Sequence, residues 1–229
     1  MGDKILVPLS IGYGRAVREL GELTANIKEF MRKPGDFKLV LFTGGEDVSP
    51  FMYDNQDSAR CYYNIKRDLL ESEIYEIALE NEIKMAGICR GAQLLNVLAG
   101  GRMMRHINNH EGGFHYVETS TGDIIVVNSL HHQMIIPSDK TYVVGWSRYR
   151  LSDIYIGKDD KREEWAPKEV EAIIIPSTRS CGVQWHPEFM PTDEDGYKFH
   201  YNMVSDLLSM DMSAFTDKYV GIQRANGGT

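Results

Sequence analysis

The sequence predicts an α/β protein with a largely parallel central sheet, helices on both faces and an added antiparallel strand region. Three observations carry this prediction. Short apolar runs alternate with helix-period segments through residue 99, the pattern of strands joined by covering helices. The chain then turns strand-rich from about residue 114 to 157. Two further apolar runs, Val170 to Ile175 and Cys181 to Trp185, lead into a closing helix.

Taken in order, Ile5 to Leu9 reads as the first strand and about Arg15 to Met31 as a helix. Phe37 to Phe42 is the next strand. Arg67 then opens an amphipathic helix with Leu70, Ile74, Ile77 and Ala78 on one face. Ile83 to Ile88 is a strand and Ala92 to Ala99 an apolar helix. Asp123 to Val127 reads as a strand, and hairpin-like alternation marks Tyr142 to Trp146 and Leu151 to Ile156. The charged insertion Lys158 to Glu164 is expected to be a solvated loop. In the closing helix Tyr197, Tyr201, Val204 and Leu208 share a face. With no repeat and no linker rich in Pro, Gly or Ser, residues 1–210 are expected to form one domain, and 211–229 a short polar tail.

Composition narrows the function classes. A net charge of −8 and the lack of a basic stripe with interleaved aromatics speak against a nucleic-acid partner. No apolar run is long enough to span a bilayer, and the start lacks the charged-then-apolar pattern of a secretion signal. Three cysteines without framework spacing fit reduced thiols, so a cytoplasmic location is expected.

The most informative stretch is Gly87-Ile88-Cys89-Arg90-Gly91, between a strand and a helix. A residue at such a sharp turn has a strained backbone and a side chain standing clear of the sheet, and glycines two before and two after leave room for both. The helix beginning beyond it places its positive end beside the sulfur, favouring thiolate. The competing reading, a small buried cysteine, weakens once a base is found. Gly182-Val183-Gln184-Trp185-His186-Pro187-Glu188 supplies one. His186 can act as general base to a thiol, and Glu188 can receive its other ring proton. In an extended segment the two would share a face. The order Cys, His, Glu differs from that of the α/β-hydrolases.

Gly-Ile-Cys-Arg-Gly-Ala-Gln and Gly-Val-Gln-Trp-His-Pro-Glu resemble the two signature blocks of the class I glutamine amidotransferase superfamily. Thr43 to Pro50, the Arg67-Asp68 pair and Asn128 to Gln133 resemble its γ-glutamyl hydrolase branch, typified by γ-glutamyl-γ-aminobutyrate hydrolase. The resemblance implies a flavodoxin-like sheet, with Cys89 as nucleophile, His186 as base and then acid, and Glu188 as its orienter. The Gly45 and Arg90 amides would form the oxyanion hole. Gly44, Gln93, Ser129, Leu130 and His131 would contact substrate. Arg67 is expected either to reach the site mouth or to make a salt bridge.

The expected reaction is hydrolysis of a small γ-glutamyl conjugate through a thioester on Cys89, releasing glutamate and an amine. The alternative is a glutaminase subunit that delivers ammonia to a separate synthase. The expected partners are therefore a small γ-glutamyl substrate or glutamine, and a synthase in the alternative; either is compatible with a homodimer. No cofactor is implied. A metal is set aside although His106, His110, His115, His131 and His132 crowd the middle of the chain. No metal-binding motif accompanies them, and Asn108-Asn109 and Glu111 to Gly113 place the His106/His110 pair in a loop.

Overall fold

The computed structural model describes residues 2–164 and 168–225. The first half holds strands β1 (Lys4–Leu6), β2 (Glu22–Thr24), β3 (Phe37–Phe42) and β4 (Lys84–Ile88). Helices α1 (Ile27–Arg32), α2 (Phe51–Asp54), α3 (Ile65–Glu80) and α4 (Arg90–Leu98) accompany them. The short β5 (Arg102–Met104) and β6 (His106–Ile107) follow. Then come β7 (Phe114–Thr119), β8 (Ile124–Asn128), β9 (Met134–Ile136), β10 (Tyr142–Ser147) and β11 (Tyr155–Ile156). The last strands are β12 (Val170–Ile175) and β13 (Ser180–Val183), followed by α5 (Asp195–Ser209) and α6 (Met212–Ala225).

Nine strands form one sheet in the order β2-β1-β3-β4-β13-β12-β10-β7-β8. From β2 to β13 every neighbouring pair is parallel; from β13 to β8 every pair is antiparallel. The antiparallel region foreseen in the sequence thus continues the parallel sheet, and β13 is the strand where the two halves meet. Tyr142 to Trp146 and Leu151 to Ile156 do not form a hairpin with each other: β10 pairs with β7 and β12, and only Tyr155–Ile156 is strand, against β6.

The alternation within β3 sorts its side chains onto two core layers. Leu39 and Leu41 pack with Ile88, Val183, Val204, Leu207 and Phe215 on one face. Val40 and Phe42 pack with Met85, Phe30, Ile74, Leu94 and Leu95 on the other. Burying one such side chain contributes about 1.5–3 kcal/mol, against differences of a few tenths per residue in helix propensity. Packing therefore decides where the helices lie. Asn64 caps α3 through its side-chain oxygen, which accepts from the Arg67 amide at 3.3 Å.

Two expectations need correction. Residues 15–31 are not one helix: 3-10 turns at Ile11–Ala16 and Arg18–Leu20 precede the edge strand β2, and only α1 is α-helical. The overlooked signal is Asn26, whose side chain accepts from the Glu29 amide at 3.1 Å and starts α1 there. The polar tail from Asp211 is largely α6, whose Phe215 and Tyr219 are buried in the first core layer; residues 226–229 lie outside the described residues. The charged insertion is largely exposed, as expected of a solvated loop, but two of its carboxylates anchor it. The Asp160 carboxylate accepts from Ser58 Oγ at 2.6 Å and from the buried Arg105 at 3.3 Å, and the Asp159 carboxylate accepts from Gln56 at 2.7 Å. No helix of the described residues is long and apolar enough to cross a membrane.

One close approach fixes how α4 leaves the sheet. A Cβ at Gly91 would lie 2.2 Å from the carbonyl oxygen of Phe42, a backbone atom that cannot yield without moving β3. Gly91→Ala is expected to cost about 1–3 kcal/mol. Gly35→Ala, where nothing lies within 4 Å, should be nearly silent. Denaturant midpoints of the two variants check this.

Candidate active site

Cys89 follows β4 directly and has φ 50° and ψ −110°. That backbone is sparsely populated for a residue with a Cβ and costs on the order of 1–3 kcal/mol. The surroundings enforce it. The Cys89 amide donates to the Val183 carbonyl at 2.7 Å, and the Gln93 amide donates back to the Cys89 carbonyl at 3.1 Å. The side chain is 7% exposed and opens into a cavity of about 240 Å³. Since Cys89 is the N-cap of α4 and provides no side-chain cap, the Arg90 amide at the helix start has no intrahelical acceptor.

His186 comes three residues after β13, and its ring interacts with the Cys89 thiol. Its Nδ1 lies 2.6 Å from Glu188 Oε1, leaving Nε2 for the sulfur. This pair does not arise from an extended segment as expected: Pro187–Phe189 is a 3-10 turn that brings the carboxylate back under the ring. Burial disfavours charge on the imidazole, but its contacts with Cys89 and Glu188 outweigh that and push its pKa up to about 10. The arrangement favours an imidazolium at neutral pH. Phe189 stacks on His186 at 5.3 Å between ring centroids.

The backbone of His186 is gripped by Asn128. The Asn128 Oδ1 accepts from the His186 amide at 2.8 Å, and its Nδ2 donates to the His186 carbonyl at 2.9 Å. The sequence marks Asn128 to Gln133 as a loop at the site; the clamp is made by its first residue, which was not among the expected contacts.

The Gly44-Gly45 turn follows β3. A Cβ on Gly44 would meet the His186 ring at 2.8 Å. Gly45 has φ +136°, and a Cβ there would lie 2.2 Å from the Arg67 guanidinium. Arg67 spans the turn: Nη2 donates to the carbonyls of Thr43 at 3.1 Å and Gly44 at 2.8 Å, and to Thr43 Oγ1 at 3.1 Å. Its other nitrogens meet Glu46 at 2.6 Å and Glu71 at 3.3 Å. The Arg90 side chain is turned away from the cavity and buried against Asp68 at 2.5 Å and against Glu71. Arg67 therefore both forms salt bridges and braces the loop beside Cys89.

Gly45, Cys89, Gln93, Leu130 and His131 line the cavity together. Glu46, Asp47, Tyr62, His132 and Gln133 line it as well, and sequence reasoning gave none of them a role. His132 Nε2 lies 3.0 Å from Asp47 Oδ1, which ties the loop after β8 to the one after β3. Two expected contacts fall elsewhere. Gly44 is packed against His186, and the Ser129 hydroxyl donates to the His110 carbonyl at 2.8 Å behind the cavity wall.

The family model for peptidase C26 matches residues 35–188, which contain every element of this site. The glutamine amidotransferase-like protein YvdE of Lactococcus lactis is 32% identical over 72% of this chain and 70% of its own length. The γ-glutamyl-CDP-amidate hydrolase of Campylobacter jejuni is 30% identical over 66% of this chain and 62% of its own length. Among solved structures, a glutamine amidotransferase from Thermotoga maritima is similar in fold, with a TM-score of 0.53 and 16% sequence identity over 98% of this chain and 96% of that chain.

Proposed function

The chain belongs to the peptidase C26 family of class I glutamine amidotransferase-like proteins, and from that premise we propose that it hydrolyses the γ-glutamyl amide bond of a small conjugate. The observation that carries the reading is the strained Cys89, in contact with the His186–Glu188 pair and opening into the cavity that Gln93 and Leu130 also line.

The Cys89 thiolate attacks the γ-carbonyl carbon, and the oxyanion that forms is met by the Gly45 and Arg90 amides. His186 gives its proton to the departing amine as the C–N bond breaks, leaving a γ-glutamyl thioester on Cys89. His186, now neutral, takes a proton from water. The resulting hydroxide adds to the thioester, the C–S bond breaks, and glutamate leaves. Glu188 keeps the ring in the orientation both steps need. Gln93, Leu130 and His131 hold the glutamyl end, while Ser129 acts through its position behind the wall.

Glutamate release by the purified chain from glutamine and from a panel of γ-glutamyl amines tests the substrate class. Conjugates are expected to exceed glutamine in kcat/KM by at least about tenfold, equal to about 1.4 kcal/mol of transition-state binding. Slow turnover of every conjugate, with glutamine hydrolysis appearing only when a synthase is added, would instead establish an ammonia-delivering subunit.

A further inference from the structure

Behind the cavity wall the chain gathers three imidazoles around one carboxylate oxygen. We propose that His110, His115 and Glu171 form a binding site for a divalent transition metal, zinc being the best match, with His131 beside it. The nitrogens come from three separate segments: the loop after β6, strand β7 and the loop after β8, with Glu171 on β12. All four residues are almost wholly buried in side chain, at 0%, 8%, 2% and 0% exposure respectively.

The spacing fits a tetrahedral ion. His115 Nε2, His110 Nδ1 and His131 Nε2 lie 3.1, 3.5 and 3.7 Å from Glu171 Oε1. Ligands about 2.0–2.2 Å from a tetrahedral centre sit about 3.3–3.6 Å from one another. Oε1 thus forms two edges of the expected polyhedron, to His115 and His110, and the ligand atoms of His110, His115 and Glu171 all lie within 4.8 Å of one another.

The outer nitrogen fixes the tautomer of His131. His131 Nδ1 lies 2.9 Å from the Gln133 carbonyl, which can only accept, so this nitrogen carries the proton. The neutral ring then points a bare Nε2 at a carboxylate, and that buried Nε2 has no hydrogen-bond partner. Two acceptors facing each other out of water repel; a cation between them removes the conflict. His110 differs: its Nε2 lies 3.3 Å from Glu169 Oε2 without a hydrogen bond, and its Nδ1, 3.5 Å from Glu171, is also 3.2 Å from the Ser129 hydroxyl. A carboxylate or carbonyl on the far nitrogen of a ligating histidine is the usual outer support of a metal site. Glu171 Oε2 is likewise buried without a partner.

Three protein ligands leave the fourth position of a zinc shell open. The site would tie the loop after β6 and strand β7 to β12. The Glu171 carbonyl on that strand accepts from the Gln184 amide at 2.7 Å, two residues before His186.

The test uses the full chain carrying Cys89→Ala, so that the active-site thiol cannot compete for metal. After chelator treatment, cobalt(II) is titrated in and followed by its visible d–d absorption, and zinc is then added. One cobalt per chain with tetrahedral intensity, no thiolate charge-transfer band, displacement by zinc and a raised melting midpoint are expected. Adding His115→Ala should weaken cobalt binding at least about 100-fold; Glu171→Gln should do the same with little change in shape. His106→Ala, which removes a histidine outside the cluster, should leave binding unchanged. Absence of the tetrahedral spectrum, or a spectrum retained in both His115→Ala and Glu171→Gln, would overturn the proposal and leave a polar network neutralised by protons.

Discussion

Cys89→Ala is expected to lower glutamate release at least about 10⁴-fold, because members of a nucleophile–base pair act as a unit and loss of the nucleophile leaves only binding and oxyanion stabilisation. Substrate affinity should change little, since the cavity keeps its other walls. The same cysteine should be selectively modified. Cys181 is fully buried, and burial raises its thiol far above the ordinary range. Burial also raises Cys61. Mass spectrometry after brief treatment with iodoacetamide at neutral pH should place the label on Cys89, which opens into the cavity beside His186. Unchanged turnover in the alanine variant would remove Cys89 from the chemistry. Cys89→Gly adds an independent readout: it should be equally inactive yet recover part of the roughly 1–3 kcal/mol held in the φ 50° backbone.

Arg67→Ala is expected to lower kcat by about 100- to 1000-fold with a small change in KM. The guanidinium holds the carbonyls of Thr43 and Gly44 from behind, and so sets the direction of the Gly45 amide. Loss of one oxyanion donor costs this much in comparable acyl transfers. Lysine should not restore the rate, because an ammonium cannot reproduce a planar fork that meets Thr43, Gly44, Glu46 and Glu71 together. Equal losses in kcat and in binding, or full rescue by Arg67→Lys, would reduce Arg67 to a salt-bridge partner. Stability must be followed in parallel, since removing the cation leaves Glu71 with Arg90 as its remaining cationic partner.

Much of this site is legible in the sequence because its chemistry is local. A cysteine between glycines at a strand–helix junction, and a histidine two residues before a glutamate, state their roles within seven residues each. The parallel half of the sheet is equally legible, since buried strands are continuous apolar runs. What escaped depends on distant partners. Asn128 acts on the backbone of His186, 58 residues away, and nothing near Asn128 announces that. Arg67 braces a turn that precedes it by more than 20 residues. The α6 segment reads as a tail because its apolar residues are sparse; Phe215 and Tyr219 matter through the layer they complete. Residues 15–31 mislead for the opposite reason, since a helical pattern there loses to pairing of Glu22–Thr24 with β1. The histidines were set aside on sequence spacing, whereas folding brings His110, His115 and His131 to one carboxylate.

The position of β13 has a consequence for how this protein can vary. Val183 stands opposite Ile88 in parallel register, and each chain runs on from that point to its own reactive side chain. Cys89 thus follows one strand directly and His186 lies three residues beyond its neighbour, and the two strands are held about 4.8 Å apart by peptide hydrogen bonding. Glu46, Asp47, Leu130 and His132, which line the cavity, lie in the loops after β3 and β8. Changes of diet are therefore open to mutation in those loops, while the ruler that measures out the reaction stays the same.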